Sequence, residues 1–370
     1  MSIFISTIDH KMPLLVAVSG GSDSMALLNL LANRNPHPQL FVATVDHQLR
    51  PESADEAEHV AKFAASLNLP HKILRWENHG QSSSKAAREG RYELLVAHAK
   101  SIGASAIALG HTMDDQAETV LMRALRAKPN GGTRGLSGMS ARSTYEGISL
   151  LRPLLSTQRK ALRHHLRTQN IIWIDDPSNE KLTSERVRIR KNLASNKNLP
   201  APEAIIKLAA LSARHRFWLS QQTAALMETS VSHQDNTLIL SAPSSTPPPF
   251  LVELFATLIL VGGGKPYRVS QEQTASLITA YQSGQTTQMA LGRSLIKLKK
   301  STARFTREAR NLPPQPKPSN NPIPFDNRVL ILPDGTKQPY ITALERFRPA
   351  IDDGLYKAVM KTLSSAFYST

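Results

Sequence analysis

The sequence predicts an α/β fold, a doubly wound and mostly parallel sheet, followed by a second, smaller α+β domain at the C-terminus. Three observations predict it. Between residues 14 and 126, short apolar runs alternate with longer amphipathic stretches in the rhythm of βαβ units. The short runs are continuously apolar rather than alternating, which suits strands covered on both faces. Beyond residue 195 the rhythm stops, and the polar, proline-containing stretch NKNLPAP (196–202) reads as a boundary. The predicted domains are therefore 1–195 and 196–370.

In order, LLVAV (14–18) is a strand followed by helix to about Leu31, and LFVATV (40–45) is a strand followed by helix over 52–69. KILRW (72–76) precedes a helix over 83–103, and ASAIALG (104–110) precedes a helix over 113–126. After LLRPLLS (150–156) comes a basic helix. The second region opens with a helical run to about residue 230 and continues with a strand, NTLILS (236–241). APSSTPPP (242–249) and NLPPQPKPSNNPIP (311–324) hold too many prolines for a helix or a central strand.

Composition narrows the chemistry. The chain has 370 residues, 41% of them hydrophobic, and its 45 Lys and Arg against 29 Asp and Glu give a net charge of +16. An excess of that size points to a polyanionic partner such as nucleic acid. There is no cysteine, so disulfides, thiolate metal sites, iron–sulfur clusters and thiol nucleophiles are excluded. The start, MSIFISTIDHKMPLL, lacks the pattern of a secretory signal. The longest apolar run, Phe250–Val261, contains Glu253 and is shorter than the roughly 20 residues a membrane helix needs. A cytoplasmic location with no membrane partner is expected.

The turn after the first strand carries the chemistry. Ser19-Gly20-Gly21-Ser22-Asp23-Ser24 links a strand to a helix, with glycines for close backbone approach and serines as caps. A helix N-terminus at that point offers free N–H groups and a positive dipole end, an anion site. No lysine lies in the loop, so it is not a Walker A motif, and it does not read G-x-G-x-x-G. Asp23 sits beside the bound phosphates, where it is placed to hold Mg²⁺. An ordinary capped turn is the competing reading.

A second acidic group lies in HTMDDQAETVLMRALR (111–126), at the end of the fourth strand. Thr112 caps the helix, which puts Asp114 and Asp115 in the first turn and brings each onto one face with Glu118. Thr112 with Asp115 also reads as a plain capping box, in which the acids serve only the helix. Beside a nucleotide site the same acids suit a cationic substrate or Mg²⁺.

The hexapeptide resembles the SGGxDS loop of the PP-loop ATP pyrophosphatases. That resemblance implies that the loop holds the β,γ-pyrophosphate of ATP while AMP passes to a substrate oxygen. An ordered set of further motifs extends it: VDHQLR (45–50), HTMDDQAET (111–119), RGLSGM (134–139), RPLL (152–155) and WIDDPSN (173–179) ending in ERVRIR (185–190). Over residues 14–190 this set resembles the tRNA(Ile)-lysidine synthases. The implied reaction adenylates the carbonyl oxygen at carbon 2 of the wobble cytidine in a CAU-anticodon isoleucine tRNA. The ε-amine of free L-lysine then attacks that carbon and expels AMP.

The resemblance implies roles for residues. Ser19 to Ser24 bind ATP, with Asp23 as the metal ligand. Asp114, Asp115 and Glu118 bind lysine and take its proton. His47, Arg88, Arg91, His111 and Arg126 contact substrate or phosphate. Arg186, Arg188 and Arg190 are assigned to tRNA, as are Lys297, Lys299 and Lys300 of a C-terminal half that resembles the family only loosely, and these tRNA assignments rest on charge. The last two groups lie in basic segments: residues 156–191 have nine Lys/Arg against four acids, and residues 293–310 have seven against one. The chain departs from the family after Arg126, where AKPNGG (127–132) replaces the usual R-G-x-G. A tRNA thiolase on the same fold would need cysteine. A small-molecule amide ligase leaves the basic segments unexplained, and a non-catalytic tRNA-binding protein leaves the intact loop unexplained.

Overall fold

The computed structural model describes residues 12–34, 39–48, 53–77, 84–126, 133–175, 185–195, 199–234, 236–265, 267–310, 312–317, 319, 321–326, 329–334, 337–339 and 353–364. The segments 127–132 and 176–184, which include AKPNGG and most of WIDDPSN, lie outside them. The chain divides into two compact units, one running to Leu211 apart from residues 127–134, the other from Ser212 onward.

The first unit realises the predicted alternation: β1 (Leu14–Ala17), α1 (Ser22–Ala32), β2 (Leu40–Asp46), α2 (Ser53–Ser66), β3 (His71–Arg75), α3 (Ser84–Ser101), β4 (Ala106–Leu109) and α4 (Met113–Arg126). A hairpin, β5 (Arg142–Tyr145) and β6 (Ile148–Leu151), completes a six-stranded sheet in the order β3-β2-β1-β4-β6-β5. All neighbours are parallel except β5 with β6. The sequence reading assigned no hairpin there. Its signal is Glu146-Gly147, whose φ values of +47° and +84° form the two-residue turn that suits twisted strands.

The chain runs outward from β1 through β2 to β3, then crosses back to place β4 on the other side of β1. That reversal opens a crevice at the carboxyl ends of β1 and β4, the place where open α/β sheets bind ligands. On one face of the sheet, Met25, Leu28 and Leu31 of α1 pack with Val60 of α2 and with Leu162 and Leu166 of α5 (Arg159–Thr168). On the other face, Tyr92, Leu95 and Val96 of α3 pack on Ile107 and Leu109. Helix α6 (Glu185–Ser195) runs against α4.

Helix α7 (Pro202–Ser230) crosses the division between the units. Ile205 and Ala209 pack with Ala117 and Val120 of α4, whereas Ala224 and Met227 belong to the core of the second unit. That core lies between a five-stranded antiparallel sheet and helices. The strands are β7 (Val231–Gln234), β8 (Thr237–Leu240), β9 (Thr287–Leu291), β10 (Ser294–Lys299) and β11 (Thr302–Arg307), in the order β7-β8-β11-β10-β9. The helices are α8 (Pro248–Gly263), α9 (Gln271–Gln282) and α10 (Asp353–Ser364). Three short strands, β12 (Ile323–Phe325), β13 (Val329–Ile331) and β14 (Lys337–Pro339), form a small separate sheet.

The long apolar run is α8, the central core helix. Its Phe255 ring meets Tyr281 and Phe305 edge-on at 5.5 and 5.4 Å. No helix among the described residues is long and apolar enough to cross a membrane.

Candidate active site

The loop after β1 is shaped by its own small side chains. The Ser19 N–H donates to Ser24 Oγ at 3.1 Å, and Ser24 Oγ donates to the Gly21 carbonyl at 3.0 Å. Gly20 takes φ +85°, a conformation that side chains disfavour, and its carbonyl accepts from the Ile174 N–H at 2.9 Å. Gly21 caps α1 without a side-chain hydrogen bond, so the first N–H groups of that helix are not taken by a cap. A Cβ at Gly110 would stand 3.0 Å from the Ser24 backbone, so only glycine lets the end of β4 touch the loop. This geometry is an anion cradle.

The acidic helix faces it. At the start of α4, one Asp115 oxygen, Oδ2, accepts from the Thr112 N–H and hydroxyl, each at 2.8 Å. The other, Oδ1, accepts from Arg159 at 3.2 Å and from Arg186 at 2.9 Å. The capping contact of Asp115 thus uses one oxygen, and the other is engaged by the two guanidinium groups. Glu118 is 1% exposed and accepts from Arg186 at 2.6 Å and from Arg190 at 2.7 Å.

Arg159 joins the two groups. Its Nε donates to Asp23 at 2.8 Å, its guanidinium also pairs with Asp115 and lies 3.8 Å from Glu118, and its backbone N–H donates to Asp114 at 2.7 Å. Burial opposes the Arg159 charge, yet Asp23 and Asp115 outweigh it and hold the guanidinium firmly protonated. Burial pushes Asp115 up as well, but Arg159, Arg186 and the Thr112 donors win and hold its carboxyl below the usual range. At Asp23 burial prevails over Arg159, and its carboxyl is raised.

Asp23, Asp115, Arg159, Arg186 and Arg190 line a cavity of about 990 Å³, at the upper end of the roughly 300–1,000 Å³ typical of small-molecule sites, whereas Asp114 and Glu118 are not part of its lining. His47, Arg91 and His111 also lie on its wall. Both histidines bury an Nδ1 that has no hydrogen-bond partner among the described residues. Burial and the neighbouring Arg152 push the His111 imidazole down to about 3, so it is neutral at ordinary pH. A depressed histidine stabilises the fold fully only above the unfolded value near 6.5, and the contribution drains away as pH falls toward 3. Replacing His111 by asparagine is expected to flatten the acid side of the thermal-stability profile, removing about 1 kcal/mol of the loss at pH 5.5. A variant with the same acid slope as the parent would show that His111 protonates freely.

The other expected site residues are dispersed. Arg88 donates to the Tyr92 hydroxyl at 3.1 Å and lies over that ring, away from the cavity lining. Arg126 pairs with Glu185 at the far end of α4, largely exposed. Arg186 and Arg190, expected to face tRNA, turn onto Asp115 and Glu118, while Arg188 points outward on α6. Lys297 and Lys299 project from the exposed face of β10, with Lys300 in the turn that follows. Arg304 of β11 sits opposite Lys297 and is also exposed, whereas Arg307 is buried against Asp326 at 2.6 Å.

Sequence reasoning missed Arg159 and Arg163. Both lie in the basic run after RPLL, and both were weighed there only as charge. Arg163 donates to Ser22 Oγ at 3.3 Å, pairs with Asp175 at 2.5 Å, and lies over the Trp173 ring.

An anion cradle at the switch point of a parallel sheet, facing an acidic helix start, defines the class: the first unit is a PP-loop domain, and residues 3–197 match that family. The chain is 39% identical to the tRNA(Ile)-lysidine synthase of Rhizobium meliloti (strain 1021) over 317 residues, 81% of this chain and 68% of that one. The enzyme of the same name from Mesorhizobium japonicum is 35% identical over 363 residues, covering 94% and 80% of the two chains. That from Ruegeria pomeroyi is 39% identical over 303 residues, covering 79% and 70%. The chain belongs to the tRNA(Ile)-lysidine synthase family.

Proposed function

We propose that this chain is an ATP-using ligase that joins L-lysine to carbon 2 of the wobble cytidine of a CAU-anticodon isoleucine tRNA, through an adenylated cytidine. The observation that carries this reading is Arg159, which ties Asp23 of the phosphate loop to Asp115 of α4 inside one cavity. Phosphate chemistry and amine chemistry thereby share a single chamber. The relatives supply the substrate.

The loop N–H groups and the N-terminus of α1 bind the pyrophosphate end of ATP. The cytidine carbonyl oxygen attacks the α-phosphorus, and pyrophosphate leaves into the cradle. Asp23 fits Mg²⁺, because it is a half-buried carboxylate in the loop and on the cavity wall, and Mg²⁺ is commonly held by one or two carboxylates plus phosphate oxygens. When bound, the ion neutralises charge on the leaving pyrophosphate.

Arg159 and Arg163 add fixed positive charge beside the loop. Asp114, Asp115 and Glu118 draw in the lysine ammonium, whose ordinary pKa near 10.4 requires a carboxylate to take a proton before attack. The neutral amine then adds to carbon 2, and AMP departs with the carbonyl oxygen. Arg91, His47 and His111, with Arg186 and Arg190, are the cavity-wall groups that meet anionic or base groups of the tRNA.

Radiolabelled-lysine incorporation into that tRNA, with pyrophosphate release followed in parallel, tests the whole reading. Both signals should require the same tRNA and ATP. Pyrophosphate release without lysine transfer would retain adenylation and overturn the nucleophile.

Lys297, Lys299, Lys300 and Arg304 form the outward basic surface of the second unit, a phosphate-contacting face for tRNA. Neutralising the three lysines is expected to weaken tRNA binding and to lower the slope of log affinity against log salt by about 0.9 per lost phosphate contact. ATP affinity should not change. An unaltered salt slope would remove the face from the interface.

A further inference from the structure

The face of α7 turned away from the core of the second unit carries Arg214, His215, Phe217 and Trp218, while Ala224 and Met227 mark its buried side. Phe217 is 64% exposed and Trp218 is 51% exposed. The Trp218 ring lies 5.9 Å from His215, tilted by 30°, and 5.9 Å from Phe250 at the start of α8. Arg214 precedes Phe217 by three residues and Trp218 by four, so its side chain shares their surface. It has no ion pair or hydrogen bond among the described residues. From Ala204 to Met227 the helix contains Lys207, Arg214, His215 and Arg216 and not one Asp or Glu.

Exposed aromatic rings are costly to leave in water, and along α7 this group is flanked by arginines with no acid between Ala204 and Met227. A second copy of a chain with a net charge of +16 would bring like charge to that surface. An RNA segment brings both complements, phosphate for Arg214 and base faces for the rings. A paired duplex keeps its bases stacked on each other, so only unpaired nucleotides offer a free face.

We infer that this surface of α7 stacks unpaired nucleotides of the tRNA substrate, with bases on Trp218 and Phe217 and a phosphate on Arg214. The inference rests on the tRNA reading above and adds to it a contact by stacking, distinct from the lysine face of β10.

The test is equilibrium binding of the full chain to unmodified CAU-anticodon isoleucine tRNA across a salt series. Phe217→Ser with Trp218→Ser is expected to weaken binding about tenfold or more, in line with the loss of one or two stacked bases. The salt slope should not change, because no charge is removed. Trp218→Phe should restore most of the loss, and Arg214→Gln should lower the slope by about one contact. A single-stranded RNA oligonucleotide should compete with tRNA better for the parent than for the double variant, whereas a blunt duplex should not discriminate between them.

Equal tRNA affinity of parent and double variant, with lysine transfer intact, overturns the stacking surface and leaves the tRNA reading standing. Self-association that disappears in the double variant, with tRNA affinity unchanged, assigns the surface to a second copy instead. A parent that binds no tRNA overturns both readings.

Discussion

Replacing Asp23 by asparagine is expected to abolish tRNA-dependent pyrophosphate release, with a loss on the order of 10³ or more in turnover, while tRNA affinity stays within about twofold. The substitution keeps the shape of the side chain and its acceptor for Arg159, and removes only the charge. That charge is what a metal bridging to phosphate needs, and burial opposes it, raising the carboxyl despite the pairing with Arg159. A buried carboxylate with a raised pKa weakens the fold at neutral pH, so the variant should melt no lower than the parent. Pyrophosphate release, tRNA filter binding and a thermal melt together decide it. A variant that loses tRNA binding or melts early would show the loop to be a structural turn.

Glu118→Gln should act in the opposite way, on stability as well as chemistry. Glu118 is the buried counter-charge of Arg186 and Arg190, at 2.6 and 2.7 Å, with Arg159 at 3.8 Å. Breaking a buried pair by removing one partner leaves guanidinium groups facing one another beside Asp115, at a cost of about 3 kcal/mol. In a unit of this size that corresponds to a midpoint lower by about 6–12 °C. Lysine transfer should fall at least about a hundredfold, with pyrophosphate release affected less, because Glu118 does not touch the phosphate loop. A variant with an unchanged midpoint would mean that the arginines find other partners. One with unchanged lysine transfer would remove Glu118 from the amine site.

Much of the first unit was legible in the sequence because its signals are local. The strands β1 to β4 are short continuous apolar runs, and α1 to α4 begin near capping residues and end near their predicted limits. Thr112 could be read as a cap because its partner Asp115 is three residues away, and the structure holds that pair at 2.8 Å. The hairpin after residue 142 carried a two-residue turn signal at Glu146-Gly147 that lay between weak, polar strands. In the second unit the same weakness hid β9 to β11. Residues 293–310 stood out as a basic run, but the alternation that exposes Lys297 and Lys299 and buries Ile296 and Leu298 is a strand pattern.

The site divides the same way. Ser19 to Ser24, Asp114, Asp115 and Glu118 were found because each cluster is contiguous and sits at a strand end. Arg159 was not. It meets Asp23 across 136 positions of sequence and Asp115 across 44. A basic run advertises charge without saying which acid will receive it. Arg186 and Arg190 show the consequence, since they read as a surface for tRNA and turn inward onto Glu118.

By itself, then, the sequence determined the α/β alternation, the phosphate loop, the acidic helix start and the basic character of the chain. Each depends on residues within about one helical turn or one strand of each other. Only the tertiary structure decided which guanidinium neutralises which carboxylate, which lysines face outward, and which carboxyl burial raises. Those outcomes depend on burial and on distances between segments far apart in the chain, where a few ångströms decide whether a charge is paired, desolvated or free.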